Sequence, residues 1–174
     1  MFKWIGLILF LLPQALCAQE KITPLENWSF RLDLPQGHHL PSPEYDAQVP
    51  GVVHLDLMRN NLAPDFYAGL NEHSDLAKRL ESENWVYATS FEISEADLSN
   101  SKMDLVFEGI DTYAHVYLND SLILKADNMF RNYTLSIKDL VKVGANKLRV
   151  HFTTPLNKHE SDVMNAPYQL PSGN

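Results

Sequence analysis

Leu105-Val-Phe-Glu-Gly-Ile-Asp-Thr-Tyr-Ala-His-Val-Tyr-Leu-Asn119, followed from Asn128 by Asn-Met-Phe-Arg-Asn-Tyr133, decides the fold of this chain. Ala114, Val116 and Leu118 alternate with Tyr113, His115, Tyr117 and Asn119, the period-2 pattern of a strand with one face buried and the other wet. Asn119-Asp120 is a turn signal, because both side chains tolerate positive φ. Leu122 to Lys125 then returns as the antiparallel partner. The stretch therefore reads as consecutive antiparallel strands.

The same period recurs on both sides of it. Leu25 to Leu34 places Trp28, Phe30, Leu32 and Leu34 on alternate positions, and Trp85, Tyr87, Thr89, Phe91 and Ile93 do the same opposite Val86 and Ala88. Met129 to Ile137 reads as a further strand. Lys142-Val-Gly-Ala-Asn146 is a turn, and Lys147 to Thr153 follows with Leu148, Val150 and Phe152 inward. Between these lie a polar loop over Gln36 to Glu44 and a Pro-Gly turn in Ala47-Gln-Val-Pro-Gly51. Val52 to Leu62 carries Leu55, Met58 and Leu62 at i, i+3 and i+7 and reads as a short helix, while Ser74 is placed to cap a second one through Leu80. Asp97 to Lys102 is a connection. Short strands separated by turn signals, with one or two short helices, predict an all-β fold, a β-sandwich of jelly-roll type. About six or seven strands are placed this way, short of the eight of a jelly roll, so the sandwich is expected to be truncated.

Residues 1–18 have the form of a secretory signal peptide: Lys3, an apolar run from Trp4 to Leu12, and a small-residue exit through Ala15, Cys17 and Ala18. The run is too short to span a bilayer. Lipidation at Cys17 is the weaker reading of that exit. Cys17 is the single cysteine of the 174 residues, so cleavage leaves no disulfide, no thiolate nucleophile and no cysteine metal site. Formal net charge is −8 and no Lys/Arg cluster is visible, which argues against nucleic acid and anionic membrane surfaces as partners. Export to the periplasm or exterior is expected, or to the lysosome in a eukaryote. The domain reading is 1–18 signal, 19–156 sandwich and 157–174 a loop or linker, since alternation stops beyond Thr154 among Pro155, Pro167 and Pro171.

Chemistry-bearing residues are sparse. Acid/base or nucleophilic work by paired carboxylates needs two of them held within about 5 to 9.5 Å of each other. Asp111, beside Gly109, reads as a carboxylate accepting backbone N–H bonds at a bend, and Glu72, Glu81 and Glu83 read as solvated positions flanking a helix. Seven histidines contain no His-Glu-x-x-His; His38 and His39 are adjacent in a loop, and His115 and His151 fall on outward strand faces. No metal or cofactor ligand is assigned. Trp28 and Trp85 read as core, whereas Phe66, Tyr67, Tyr113 and Tyr117 are open between core, sugar stacking and domain contact. Asn27, Asn119 and Asn132 stand in Asn-x-Ser/Thr triplets.

The wording of several segments carries a resemblance. Phe107-Glu-Gly-Ile-Asp-Thr-Tyr-Ala-x-Val-Tyr-Leu-Asn119 and Asn128-Met-Phe-Arg-x-Tyr133, with Val49-Pro-Gly-Val-Val-His-Leu-Asp-Leu57, Leu62-Ala-Pro-Asp-Phe-Tyr67, Leu70-Asn-Glu72, Trp85-x-Tyr-x-x-x-Phe91 and Gly144-Ala-Asn-Lys-Leu-x-Val-x-Phe152 ahead of Pro155-Leu156, resemble the first domain of the β-mannosidases of glycoside hydrolase family 2. One departure stands at Asp65-Phe-Tyr-Ala68, where that family commonly has Asp-Pro-Phe-Tyr-Gly. The resemblance implies a jelly-roll, galactose-binding-like domain that precedes immunoglobulin-like domains and a (β/α)8 barrel holding both catalytic glutamates. It also implies that a Trp-Asp-Trp-Gly loop of the mannose pocket follows the pattern matched by Pro167 to Asn174. No catalytic, sugar-binding, cofactor or metal residue is therefore carried over to any position. Two function classes follow: the non-catalytic N-terminal domain of an exported exo-acting β-mannosidase, whose partners are the other domains and a β-mannoside oligosaccharide or glycoprotein glycan, or a free-standing carbohydrate-binding module of the same fold.

Overall fold

A computed structural model describes residues 21–34, 42–69, 75–80 and 82–159. Among them are eight strands: β1 Trp28–Leu32, β2 Tyr45–Ala47, β3 Trp85–Ile93, β4 Asp104–Phe107, β5 Tyr113–Leu118, β6 Ser121–Ala126, β7 Tyr133–Ser136 and β8 Gly144–Thr153. All pairing is antiparallel, in a six-stranded sheet of order β2-β1-β3-β8-β5-β6 and a two-stranded sheet β4-β7. Three short helices accompany them, α1 Val53–Arg59, α2 Asp75–Leu80 and α3 Glu95–Leu98, and residues 155–159 after β8 are helical as well, where the sequence pattern predicts one or two helices and no helix at that position. The strand count exceeds the six or seven read from the sequence because Tyr45–Ala47 pairs with β1 over three residues inside what reads as loop.

The central prediction holds at the level of side chains. Val116, Leu118 and Leu148 are fully buried, and Ala114 and Val150 nearly so, on the inner face of β5 and β8. Each large apolar side chain buried this way contributes roughly 1.5 to 3 kcal/mol. Leu148 and Val150 are thus covered rather than facing a gap. The inner layer opposite them is shared. Leu105, Ile110 and Ile137 come from the β4-β7 side, while Leu57, Phe66, Ala77 and Leu80 from the α1–α2 region join Phe30 and Tyr87 in the same buried cluster. Helices therefore stand where further strands of a second sheet would lie.

Local chemistry explains where elements start and stop. Asn119 and Asp120 both take positive φ, 48° and 69°, the two-residue hairpin whose twist matches its strands. Helix α1 is expected to run to Leu62 but ends at Arg59. The Asn61 N–H donates to the Met58 carbonyl at 3.0 Å and the Leu62 N–H to the Leu57 carbonyl at 2.9 Å, with Asn61 at φ 57°, a Schellman closure built on a left-handed asparagine. Its buried positions are Asp56 and Leu57, not the Leu55–Met58–Leu62 stripe. The strand expected over Met129 to Ile137 is confined to Tyr133–Ser136, because the Asn128 carboxamide accepts the Phe130 N–H at 2.8 Å and turns the chain there. Residues 94–98, within what reads as strand end and connection, hold α3, whose Ser94 and Asp97 cap one another. His38, His39, Glu72, Ser74, Glu81, residues 1–18 and residues 160–174 lie outside the described residues.

Candidate functional surface

Strand direction gathers one set of loops at one end of the sandwich. β1, β4, β6 and β8 finish there, while β3, β5 and β7 begin there. The end therefore carries Asp33, Asn84, the β4–β5 loop at residues 108–112, the β6–β7 loop at residues 127–132 and the exit from β8 at residues 154–159. The opposite end holds the Asn119-Asp120 hairpin and the β7–β8 connection.

At this end the exit is tied down. The Thr154 N–H donates to the Asn84 side-chain oxygen at 3.0 Å, and the Asn157 amide donates to that oxygen at 3.0 Å and to the Ser82 carbonyl at 2.8 Å. Asp111 is exposed in the β4–β5 loop and accepts the Thr112 hydroxyl, so its partner is a side chain rather than the backbone N–H groups expected from the sequence. Glu83 is half-buried in the turn before β3. Phe130 projects from the β6–β7 loop with 88% of its surface exposed. Among the described residues no group of three or more His, Cys, Asp or Glu side chains is gathered closely enough to hold a metal ion.

The outer face of the large sheet collects the ambiguous tyrosines and histidines. Register places Arg31, Val86, His151, His115 and Lys125 in one cross-strand row. His151 Nδ1 lies 3.2 Å from an Asp33 carboxylate oxygen, and its ring meets Tyr117 edge-on at 5.1 Å. Arg149 sits 5.7 Å from the Tyr117 ring centre and pairs with Asp120, while the Lys158 ammonium lies 5.8 Å from the Tyr113 ring. Both tyrosines are half-buried and already covered by cations, so neither offers a free ring face on that side. Phe66 is core, set edge-on to His54 at 5.2 Å, and Tyr67 beside it is 73% exposed. The Asp65 carboxylate accepts the Tyr67 N–H at 2.9 Å and turns that loop. Trp28 and Trp85 pack half-buried against the core. Trp28 donates its indole N–H to the Leu25 carbonyl at 2.9 Å, whereas the Trp85 indole N–H is buried with no partner.

Two buried polar centres escaped the sequence reading. Asp56 has none of its surface exposed; one carboxylate oxygen accepts the Gln48 N–H at 2.9 Å and Arg59 at 3.0 Å, and the other accepts the Tyr87 hydroxyl at 2.8 Å. Burial first, and then the bond to Asp56, push the Tyr87 phenol well above its usual range. Asn146, almost fully buried, accepts Lys142 N–H and the Asn119 amide on one oxygen and donates to the Lys142 and Gly144 carbonyls. Asn119 spends both amide hydrogens internally, on Asn146 and on the Leu140 carbonyl at 3.1 Å. It is a structural residue, not an open glycosylation acceptor. Asn27 and Asn132 remain exposed. These centres fix loops; they contain no group poised for reaction.

This sandwich matches, over residues 28–174, the family described as the glycosyl hydrolase 2 galactose-binding domain-like domain. The chain belongs to that family. Within it, the chain is 34% identical to a beta-mannosidase B of Thermothelomyces thermophilus over 137 residues, 78% of this chain and 15% of that protein. It is also 34% identical to a beta-mannosidase of Rattus norvegicus over 154 residues, 88% of this chain and 17% of that one. The crystal structure of a beta-D-mannosidase from Dictyoglomus thermophilum superposes with a TM-score of 0.73 at 37% identity, covering 86% of this chain and 18% of that enzyme. A Ruminococcus gnavus beta-glucuronidase shares the fold alone, with a TM-score of 0.52 at 23% identity over 75% of this chain and 20% of that one. The chain thus spans less than a fifth of the family members it matches here, and it is homologous to the N-terminal domain of the β-mannosidases. Among the described residues no helix is long and apolar enough to cross a membrane.

Proposed function

We propose that this chain is the non-catalytic N-terminal domain of an exported, exo-acting β-mannosidase that removes terminal β-D-mannose residues. The observation that carries this reading is the alignment with β-mannosidases by sequence and by structure over 78 to 88% of the chain. Residues 1–18 serve export as a signal peptide, 19–156 form the sandwich, and 157–174 lead toward the rest of the enzyme. Catalysis belongs to a barrel elsewhere in the parent, as the family resemblance implies, because retaining hydrolysis needs two preorganised carboxylates and Asp111 is tied to Thr112. Its role is to hold the substrate-bearing parts of the parent in place against a β-mannoside oligosaccharide or a glycoprotein glycan.

The parent enzyme tests this reading. Purified from its full-length gene, it is expected to hydrolyse 4-nitrophenyl β-D-mannoside at least a hundredfold faster than the β-D-glucuronide and β-D-galactoside. Preference for either of the latter overturns it. A free-standing carbohydrate-binding module is the second reading, favoured by a sandwich whose eight strands already bury Leu148 and Val150. Calorimetry separates the two: a domain that lends only part of a pocket binds mannobiose no tighter than millimolar, since a shallow surface barely exceeds the entropic cost of association, whereas a module binds in the micromolar range.

A further inference from the structure

The β6–β7 turn presents a contradiction between sequence and exposure. Phe130 is 88% exposed and Met129 beside it is 41% exposed, although both are strongly apolar. The turn is not loose. The Asn128 side chain accepts the Phe130 N–H at 2.8 Å, the Tyr133 hydroxyl donates to the Asn128 carbonyl at 3.1 Å, and a Cβ built at Gly109 would lie 3.6 Å from the Met129 carbonyl oxygen. The neighbouring β4–β5 loop thus backs the turn, and the ring is held outward on a fixed backbone. Exposed charges stand in the same two loops, Glu108 and Asp111 in one and Asp127 and Arg131 in the other. An apolar tip with a charged rim is the composition of an interface anchor. A sugar site has a different shape: it is concave, with polar groups converging on the ligand, whereas Phe130 crowns a convex turn.

We infer that Phe130, with Met129, is the knob by which this domain docks into an apolar pocket of the polypeptide that follows it in the parent glycosidase. This rests on the reading under Proposed function. The occupant is argued from the chain's own path. β8 delivers residues 154–159 to this same end, where Asn84 and Ser82 hold them at the start of β3 and Lys158 reaches the Tyr113 ring at the start of β5, so the chain leaves the described residues at the end that carries the Asn128–Arg131 turn. The related enzymes are more than five times the length of the matched segment, which supplies a partner of ample size.

Hydroxyl-radical footprinting of the full-length parent enzyme tests the inference, with Tyr67, 73% exposed and in a different loop, as the internal reference. Oxidation of Met129 and Phe130 is expected to be suppressed at least tenfold against intrinsic reactivity, relative to Tyr67, with or without mannobiose. Phe130→Asp in the parent is expected to lower its thermal midpoint by several degrees, and Phe130→Leu to restore most of the loss. Labelling of Phe130 as free as that of Tyr67 overturns the inference, as does protection that appears only with sugar. Activity on the aryl mannoside is read separately. A parent that lacks it yet protects Phe130 sinks the β-mannosidase reading and leaves the docking knob standing, while an active parent with freely labelled Phe130 does the reverse.

Discussion

Replacing Asp56 by Ala is expected to cost this domain about 2 to 4 kcal/mol. The magnitude follows from what the carboxylate does. It is wholly buried and accepts three donors, Gln48 N–H at 2.9 Å, Arg59 at 3.0 Å and the Tyr87 hydroxyl at 2.8 Å. Alanine leaves the buried Tyr87 hydroxyl without a partner, at roughly 1 to 3 kcal/mol, and the part-buried Gln48 N–H, at the low end of that range, about 1 kcal/mol. Arg59 is 44% exposed and turns to water, so its ion pair adds little. Against a domain stability of about 5 to 15 kcal/mol, that loss is a large fraction. Asp56→Asn keeps an oxygen for Gln48 and a polar neighbour for Tyr87, and is expected to lose about 1 to 2 kcal/mol. Urea unfolding of residues 19–174, followed by tryptophan fluorescence, reads both variants, and a cycle with Tyr87→Phe isolates the pair. A loss below about 1 kcal/mol for Asp56→Ala, or no coupling to Tyr87, refutes the view that this carboxylate pins α1 and the Pro50 turn to β3.

Because the Tyr87 phenol is raised in the folded chain, its contribution is whole below the unfolded value of about 10 and is lost as pH climbs from there toward the folded value; stability should fall above about pH 10, and less steeply in Tyr87→Phe, as alkaline denaturant titrations would show. Asn146→Ala, which strands the Lys142 N–H and the Asn119 amide, is expected to cost about 2 to 4 kcal/mol, visible as a lowered urea midpoint. Trp85→Phe removes the unpartnered indole N–H and should cost less than Trp28→Phe, which deletes the bond to Leu25; equal losses in thermal melts would count against that account.

What the sequence made legible was whatever depends on near neighbours. Alternation at Ala114, Val116 and Leu118 and at Leu148 and Val150 located the inner face, and Asn119-Asp120 located the hairpin, since period and turn chemistry are local properties. Trp85 to Ile93 was bounded correctly for the same reason. Asp56 was invisible because its partners, Gln48 and Tyr87, lie 8 and 31 residues away, and a carboxylate in a short helix otherwise reads as solvent-facing. β2 was hidden by its brevity, three residues that become strand only by pairing with β1. Ser94-Glu-Ala-Asp97 did carry a capping signal, and weighing it would have found α3. Phe130 was misplaced within a strand, because an apolar residue near a strand is ordinarily buried, and only the Asn128 turn sends it outward. Of the candidate surface, the sequence supplied the residues but not their convergence, which follows from strand order.

The most direct test of the central claim, a non-catalytic domain of a β-mannosidase, is a paired assay on 4-nitrophenyl β-D-mannoside. The full-length enzyme and purified residues 19–174 would be compared at equal molar concentration. The account predicts turnover by the first and none above buffer by the second, because the two preorganised carboxylates that glycoside hydrolysis needs belong to another domain. Turnover by residues 19–174 alone, abolished by Asp111→Ala or Glu72→Ala, would contradict it.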